Sequence, residues 1–207
     1  MHILKRFLTT TVVVLITSSV AAFAAPTKET VKEFVTILSG EVIDALKNNE
    51  NNLAGRQASF EEIFRKAGDV PKIARFVSGP AWRDANDTVK NHYVDVYREY
   101  MAFTYASRIT QYNNQEIIIQ RISDVTERNI LVNTKLAPKT DKNNSMSVLW
   151  QLLSNSDGTL KVTDLSIENI SMALTQRAEF ASFLRNNDND LKKLTLFLEE
   201  RLNSLNK

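Results

Sequence analysis

The chain has 207 residues, 43% of them hydrophobic and 24% charged, and its formal charge of +2 equals the contribution of Lys5 and Arg6 at its N-terminus. With that pair set aside, the remaining Lys and Arg equal the 24 Asp and Glu, a balance that gives no electrostatic reason to expect nucleic acid or a strongly acidic partner. The absence of cysteine excludes disulfides and a lipidated thiol anchor, so the domain must owe its stability to its core; one domain of this length buries roughly 70% of its unfolded surface.

Lys5 and Arg6 precede an apolar run from Thr11 to Val20, and the small residues of Ala22-Phe23-Ala24 follow. This pattern predicts a secretory signal peptide over 1–24 and a single domain over 25–207, exported and soluble, with the cut after Ala24 because proline at 26 would block the next bond. No later run reaches the ~20 apolar residues a membrane helix needs.

From Thr27 to Asn48, Val31, Phe34, Val35, Leu38, Val42, Ala45 and Leu46 recur at helical spacing. Ser59-Phe60-Glu61-Glu62 reads as a capping box opening a short helix through Phe64, and Asp69 with Pro71 opens another through Val77. Gly79-Pro80 turns the chain into a long helix from Asp87 to about Tyr112. Beyond it the period changes to two, predicting strands at Gln115–Ser123, Asn129–Leu136, Met146–Leu153 and Thr159–Ile167, with turns at Thr126–Arg128, Lys139–Asn144 and Asp157-Gly158. Connections this short make an antiparallel meander. Helices over Ser171–Arg185 and Asp190–Leu205 close the chain, and the whole reads as one α+β domain of helices on a curved four-stranded sheet.

All five tyrosines fall on the long helix, at Tyr93, Tyr97, Tyr100, Tyr105 and Tyr112, and Met101 and Ile109 widen an apolar arc too broad for one packing surface. On the strands, Val132, Thr134 and Leu136 alternate to one side, as do Met146, Val148, Trp150 and Leu152, and Leu160 with Val162 continue that surface. These stripes describe an ordinary filled core or the two walls of a cavity. A buried tyrosine still wants a partner for its hydroxyl, which a pocket wall supplies. The candidate lining is Phe76, Trp82, Tyr93, Tyr97, Tyr100, Met101, Tyr105, Val132, Val148, Trp150, Leu152, Val162 and Met172. Short helices between Ser59 and Val77, bounded by Gly68 and Gly79-Pro80, are the expected lid.

The junction ENISMALTQRAEFASFL, Glu168–Leu184, carries no active-site pattern, but SMALTQRAEF closely resembles the strand-to-helix junction of the MlaC (toluene-tolerance Ttg2 auxiliary) family. DVPKIARFVSGPAWRDA from Asp69, TYASRITQY from Thr104, VLWQLL from Val148 and GTLKVTDLSIENISM from Gly158 resemble further family segments; Ser78 replaces a usual Leu and Leu160 a common Trp. The resemblance implies an NTF2-like α+β fold enclosing an apolar lipid cavity, and a periplasmic phospholipid carrier with no cofactor beyond its cargo. It also implies two partners, an outer-membrane lipoprotein–porin complex and an inner-membrane ABC transporter with an MCE-domain subunit, and a role in outer-membrane lipid asymmetry. The carrier is expected to be a monomer. Arg75, Arg83, Lys90 and Arg98 could serve docking or the headgroup, or simply form a solvated face.

Two other readings stay open on the residues alone. One is an enzyme on the same fold, using Asp164 or a pocket tyrosine; against it, residues 25–207 contain one histidine, His92, no cysteine and no G-x-S-x-G. His92 and Asp95, one turn apart, supply too few ligands for a metal. The other is an interaction module with a filled core. No G-x-x-x-x-G-K-[ST] loop is present, so ATP energy would have to come from a partner.

Overall fold

The computed structural model describes residues 25–108, 115–124 and 128–205. The signal-peptide reading over 1–24, the end of the long helix at Ile109 to Tyr112 and most of the Thr126–Arg128 turn lie outside them. Helix α1 spans Lys28–Asn48, with Thr27 Oγ1 accepting from Thr30 N as its cap. Helix α2 is longer than the capping box suggests: it spans Leu53–Ala67 and starts at Asn52, whose side chain accepts from Gly55 N. Ser59, read as that cap, sits inside the helix and donates to the Gly55 carbonyl. The helix starts at Asn52, seven residues before Ser59, because Arg56, buried one turn in, donates to the Ala106 carbonyl and reaches the Asn49 and Glu50 carbonyls. Helix α3 (Val70–Ser78) begins at the Asp69 cap with proline in its first turn, and ends at Gly79, whose φ of 58° only glycine adopts freely. A single-turn helix α4 (Ala81–Asp84) follows, then α5 (Asp87–Arg108).

The sheet runs β1 (Gln115–Asp124), β2 (Asn129–Pro138), β3 (Met146–Ser154), β4 (Leu160–Ile167) and β5 (Ile170–Ser171), all antiparallel in that spatial order. The meander therefore carries a fifth strand of two residues that the alternation could not reveal, since a period of two needs more than one repeat. Extra residues at Gln120 in β1 and Thr163 in β4 break the register, and such bulges increase local twist and bend the strand. Helices α6 (Met172–Arg185) and α7 (Leu191–Leu205) close the fold.

Two cores result. Val31, Val35 and Leu38 of α1 lie on Val132, Val148, Trp150 and Leu152 of the sheet. Thr134 fits this apolar surface because its hydroxyl donates to the Val148 carbonyl and accepts from Trp150 Nε1, both at 3.0 Å. The second core is helical: Ala74 and Val77 of α3, Tyr93, Tyr97 and Met101 of α5, Phe180 and Leu184 of α6, and Leu194 and Leu198 of α7. A small third cluster, Leu46, Phe60, Ala102 and Ala106, joins α1, α2 and α5.

Candidate functional site

The seam between the helices and the sheet edge holds an apolar pocket. Tyr100, Thr104 and Tyr105 of α5 form one wall, Ile167, Glu168 and Ile170 of the β4–β5 turn the second, and Met172, Thr175, Gln176 and Glu179 of α6 the third. Its volume is about 290 Å³. Ile170 stands 65% exposed at this rim. The turn is a two-residue hairpin with Glu168 and Asn169 both left-handed, at φ of 48° and 65°; asparagine suits that turn and glutamate costs energy there. The Glu168 backbone N–H donates to the Ser147 carbonyl and its Oε1 accepts from Ser147 N, which ties the turn to the start of β3.

Gln176 forms the polar corner. Its Oε1 accepts from the Tyr97 hydroxyl at 2.6 Å, and its amide nitrogen meets Met101 Sδ. Tyr97 is enclosed by Tyr93 and Phe180, so burial pushes its phenol well above the ordinary tyrosine range. Burial raises Tyr93 likewise, opposed by the Ser78 hydroxyl beside it. Both phenols stay neutral at any physiological pH, which removes them as general bases.

Of the predicted lining residues, Tyr100, Tyr105 and Met172 meet in this pocket. Tyr93, Tyr97 and Met101 pack in the helical core behind it. Val132, Val148, Trp150 and Leu152, with the half-buried Val162, pack under α1. Phe76 and Trp82 line a separate groove with Lys72, Arg75, Arg83 and Arg177. The single cavity drawn from the two stripes is thus corrected: helix α1, not α5, covers the sheet's apolar face. Periodicity identifies which face of an element is apolar but not which neighbour covers it. The sequence reading missed Thr104, Ile167, Glu168, Ile170, Thr175, Gln176 and Glu179, although most of them lie in or beside the junction motif that stands out in the sequence.

The expected cationic surface also divides. Arg75 and Arg83 share the groove, whereas Lys90 lies over the Trp82 ring and near Asp87, and Arg98 pairs with Asp95 and Glu61. His92 Nε2 lies 2.9 Å from Glu199 Oε1 while Asp95 pairs with Arg98, and no cluster of three metal-ligating side chains occurs among the described residues. Asp164, the candidate base, has a structural occupation. The Thr163 bulge lets Val162 and Leu165 both pair with core-facing residues, Leu152 and Trp150, and sets Asp164 opposite Gln151 on the other face. There its carboxylate accepts from Leu165 N, Ala173 N, Ser171 Oγ and Gln151 Nε2. Ser171 in turn accepts from Leu174 N and caps α6.

Helices packed with a five-stranded antiparallel sheet, with an apolar pocket at their seam, define an α+β domain whose candidate site is a binding pocket. The chain belongs to the MlaC family, whose model matches residues 37–200. MlaC proteins are periplasmic, non-enzymatic lipid carriers. A solved structure of a phospholipid-binding protein from Ralstonia solanacearum, in complex with a phospholipid, is similar in fold, with a TM-score of 0.70 at 17% identity over 84% of this chain and 98% of that one. No curated protein matches the chain. No helix among the described residues is long and apolar enough to cross a membrane.

Proposed function

We propose that the chain carries a phospholipid through the periplasm, between an outer-membrane lipoprotein–porin complex and an inner-membrane MCE-domain ABC transporter, and so maintains outer-membrane lipid asymmetry. The observation that carries this reading is the apolar pocket at the seam of two separately packed cores. Membership of a family of lipid carriers and likeness in fold to a protein solved with a phospholipid support it.

A diacyl lipid exposes roughly 30 methylenes, and at about 0.8 kcal/mol each water makes its unaided crossing prohibitive. The pocket needs only to match the bilayer interior, because much tighter binding would prevent release. At about 290 Å³ it is at the low end of small-molecule sites, which run roughly 300–1,000 Å³. Admitting acyl chains therefore means widening the seam.

The segment suited to move is the β4–β5 turn with the start of α6. It contributes two walls, and its left-handed pair stores strain that an altered turn would release. The lid expected over Ser59–Val77 is less suited: none of its residues lines the pocket, and Arg56 clamps the start of α2 to α5. Parting the seam gives up the Asp164 bonds to Ser171 Oγ and Ala173 N and shifts Ala173 at the edge of the helical core, but leaves the core between α1 and the sheet intact.

Organic extraction of the protein isolated from the periplasm, followed by mass spectrometry, tests the proposal. Phospholipid near one or two equivalents is the expected result. An extract without lipid, from protein that also fails to take lipid from vesicles, would favour the filled-core module, and a small polar ligand would reopen the enzyme reading.

A further inference from the structure

The groove on the other flank of α6 is chemically unlike the pocket. Lys72 and Arg75 come from successive turns of α3, Arg83 from α4 and Arg177 from α6, around a hollow of about 520 Å³ that Phe76, Gly79, Pro80 and Trp82 also line. Three elements thus converge four cations on one concavity, and no acidic side chain lines it. None of the four is within salt-bridge distance of a carboxylate among the described residues, whereas Arg65, Lys66, Lys90, Arg98, Lys142 and Lys193 all are. Arg177 is held in place: it donates to the Phe76 carbonyl at 2.8 Å and its guanidinium lies 4.6 Å from the Phe76 ring centroid. Its remaining N–H donors stay available, in the fork that matches a phosphate.

The rim is apolar. Phe76 is 39% exposed on α3, and Leu174, one turn before Arg177 on α6, is 59% exposed. Exposed apolar side chains interleaved with unpaired cations suit a surface where phosphates overlie an acyl boundary, because stems and rings enter the boundary while the charged heads meet phosphate. An acidic protein surface would pair the cations but leave Phe76 and Leu174 without a partner layer.

We propose that this groove docks the protein on an anionic phospholipid bilayer, seating the phosphate of a membrane lipid among Arg75, Arg83 and Arg177 while Phe76 and Leu174 enter the headgroup boundary. Because the chain from 25 onward is balanced in charge, the attraction is local to this face. Docking there lays α6 against the membrane, and the opposite flank of the same helix walls the pocket. The docking surface stands on its own residues, whatever the pocket carries.

Sedimentation with vesicles tests it, using protein from the periplasm and comparing phosphatidylcholine alone with phosphatidylcholine containing phosphatidylglycerol. The protein is expected to partition onto the anionic vesicles, less so as salt rises. At about fivefold per cation at a membrane surface, R75Q/R83Q should weaken partitioning about 25-fold. A charge-matched control, K139Q/K192Q, should change it little. Phe76→Ser should weaken binding at high and low salt alike. All four altered residues in the two double variants are exposed, and circular dichroism with a melting curve confirms that each variant is folded. The proposal is overturned if wild type binds neutral and anionic vesicles equally, if the control loses as much as R75Q/R83Q, or if wild type partitions onto neither kind of vesicle.

Discussion

Replacing Asp164 by alanine removes a carboxylate that joins the end of the sheet to the start of α6. Its Oδ1 accepts from Leu165 N at 2.8 Å and Ala173 N at 3.0 Å, and its Oδ2 from Ser171 Oγ and, at 3.4 Å, from Gln151 Nε2. Hydrogen bonds to a charged group contribute about 1.5–3 kcal/mol each. The site is half-buried, so water replaces part of what is lost, and the 3.4 Å contact is too long to count. Ser171 keeps its own cap to Leu174. The two backbone amides at the low end of that range give a loss of about 3 kcal/mol, which for a domain of this size lowers Tm by roughly 6–12 °C. Asp164→Asn keeps an acceptor for both amides but makes the bonds neutral, and should cost about half as much. Urea unfolding monitored by tryptophan fluorescence gives both values, and hydrogen exchange at 170–175 should quicken in proportion because that segment loses its anchor. An Asp164→Ala protein within 0.5 kcal/mol of wild type, a difference typical of neutral surface changes, would refute the structural role and return Asp164 to the list of candidate chemical groups.

Three further outcomes follow from the packing. The buried phenols of Tyr93 and Tyr97 ionise in the unfolded chain near pH 10 but not in the folded one, so their contribution to stability should be level below about pH 10 and fall above it by up to about 1.4 kcal/mol per pH unit for each; absorbance titration near 295 nm should show their ionisation only on unfolding, and Y93F/Y97F should flatten the slope. Trp150→Arg places an unpaired cation beneath α1 and should prevent folding or cost about 4 kcal/mol or more, whereas Trp150→Phe should cost about 1–2 kcal/mol through the lost Thr134 bond; a normally stable Trp150→Arg protein would mean an open space at that position after all. Thr104→Trp fills the seam pocket from α5, so extracted phospholipid should fall sharply while denaturation shows stability within about 1 kcal/mol of wild type. N-terminal sequencing of the exported protein should read from Ala25.

The order of the main elements, though not the short α4 and β5, was legible in the sequence because local rules govern it. Thr27, Asp69 and Ser171 cap helices as their side-chain chemistry dictates, the period of two marks β1 to β4, and the junction motif around Ser171 gives the family. Residue type also foretold that a buried tyrosine would want a partner for its hydroxyl, which Tyr97 finds in Gln176. What the sequence alone did not decide is which surface meets which. Tyr97 and Trp150 both lie on apolar faces, yet they belong to different cores because α1 covers the sheet. The bulge at Thr163, which turns Asp164 away from Trp150, depends on fitting β4 to β3 and to the α2–α3 junction at Gly68. Gln176 joins Tyr97 across 79 positions of sequence, and Arg177 meets the Phe76 carbonyl across 101. Such pairings are set by the free energy of closing the whole packing arrangement, to which each local pattern contributes only a face, and so the pocket and the cationic groove on opposite flanks of α6 exist only in the folded chain.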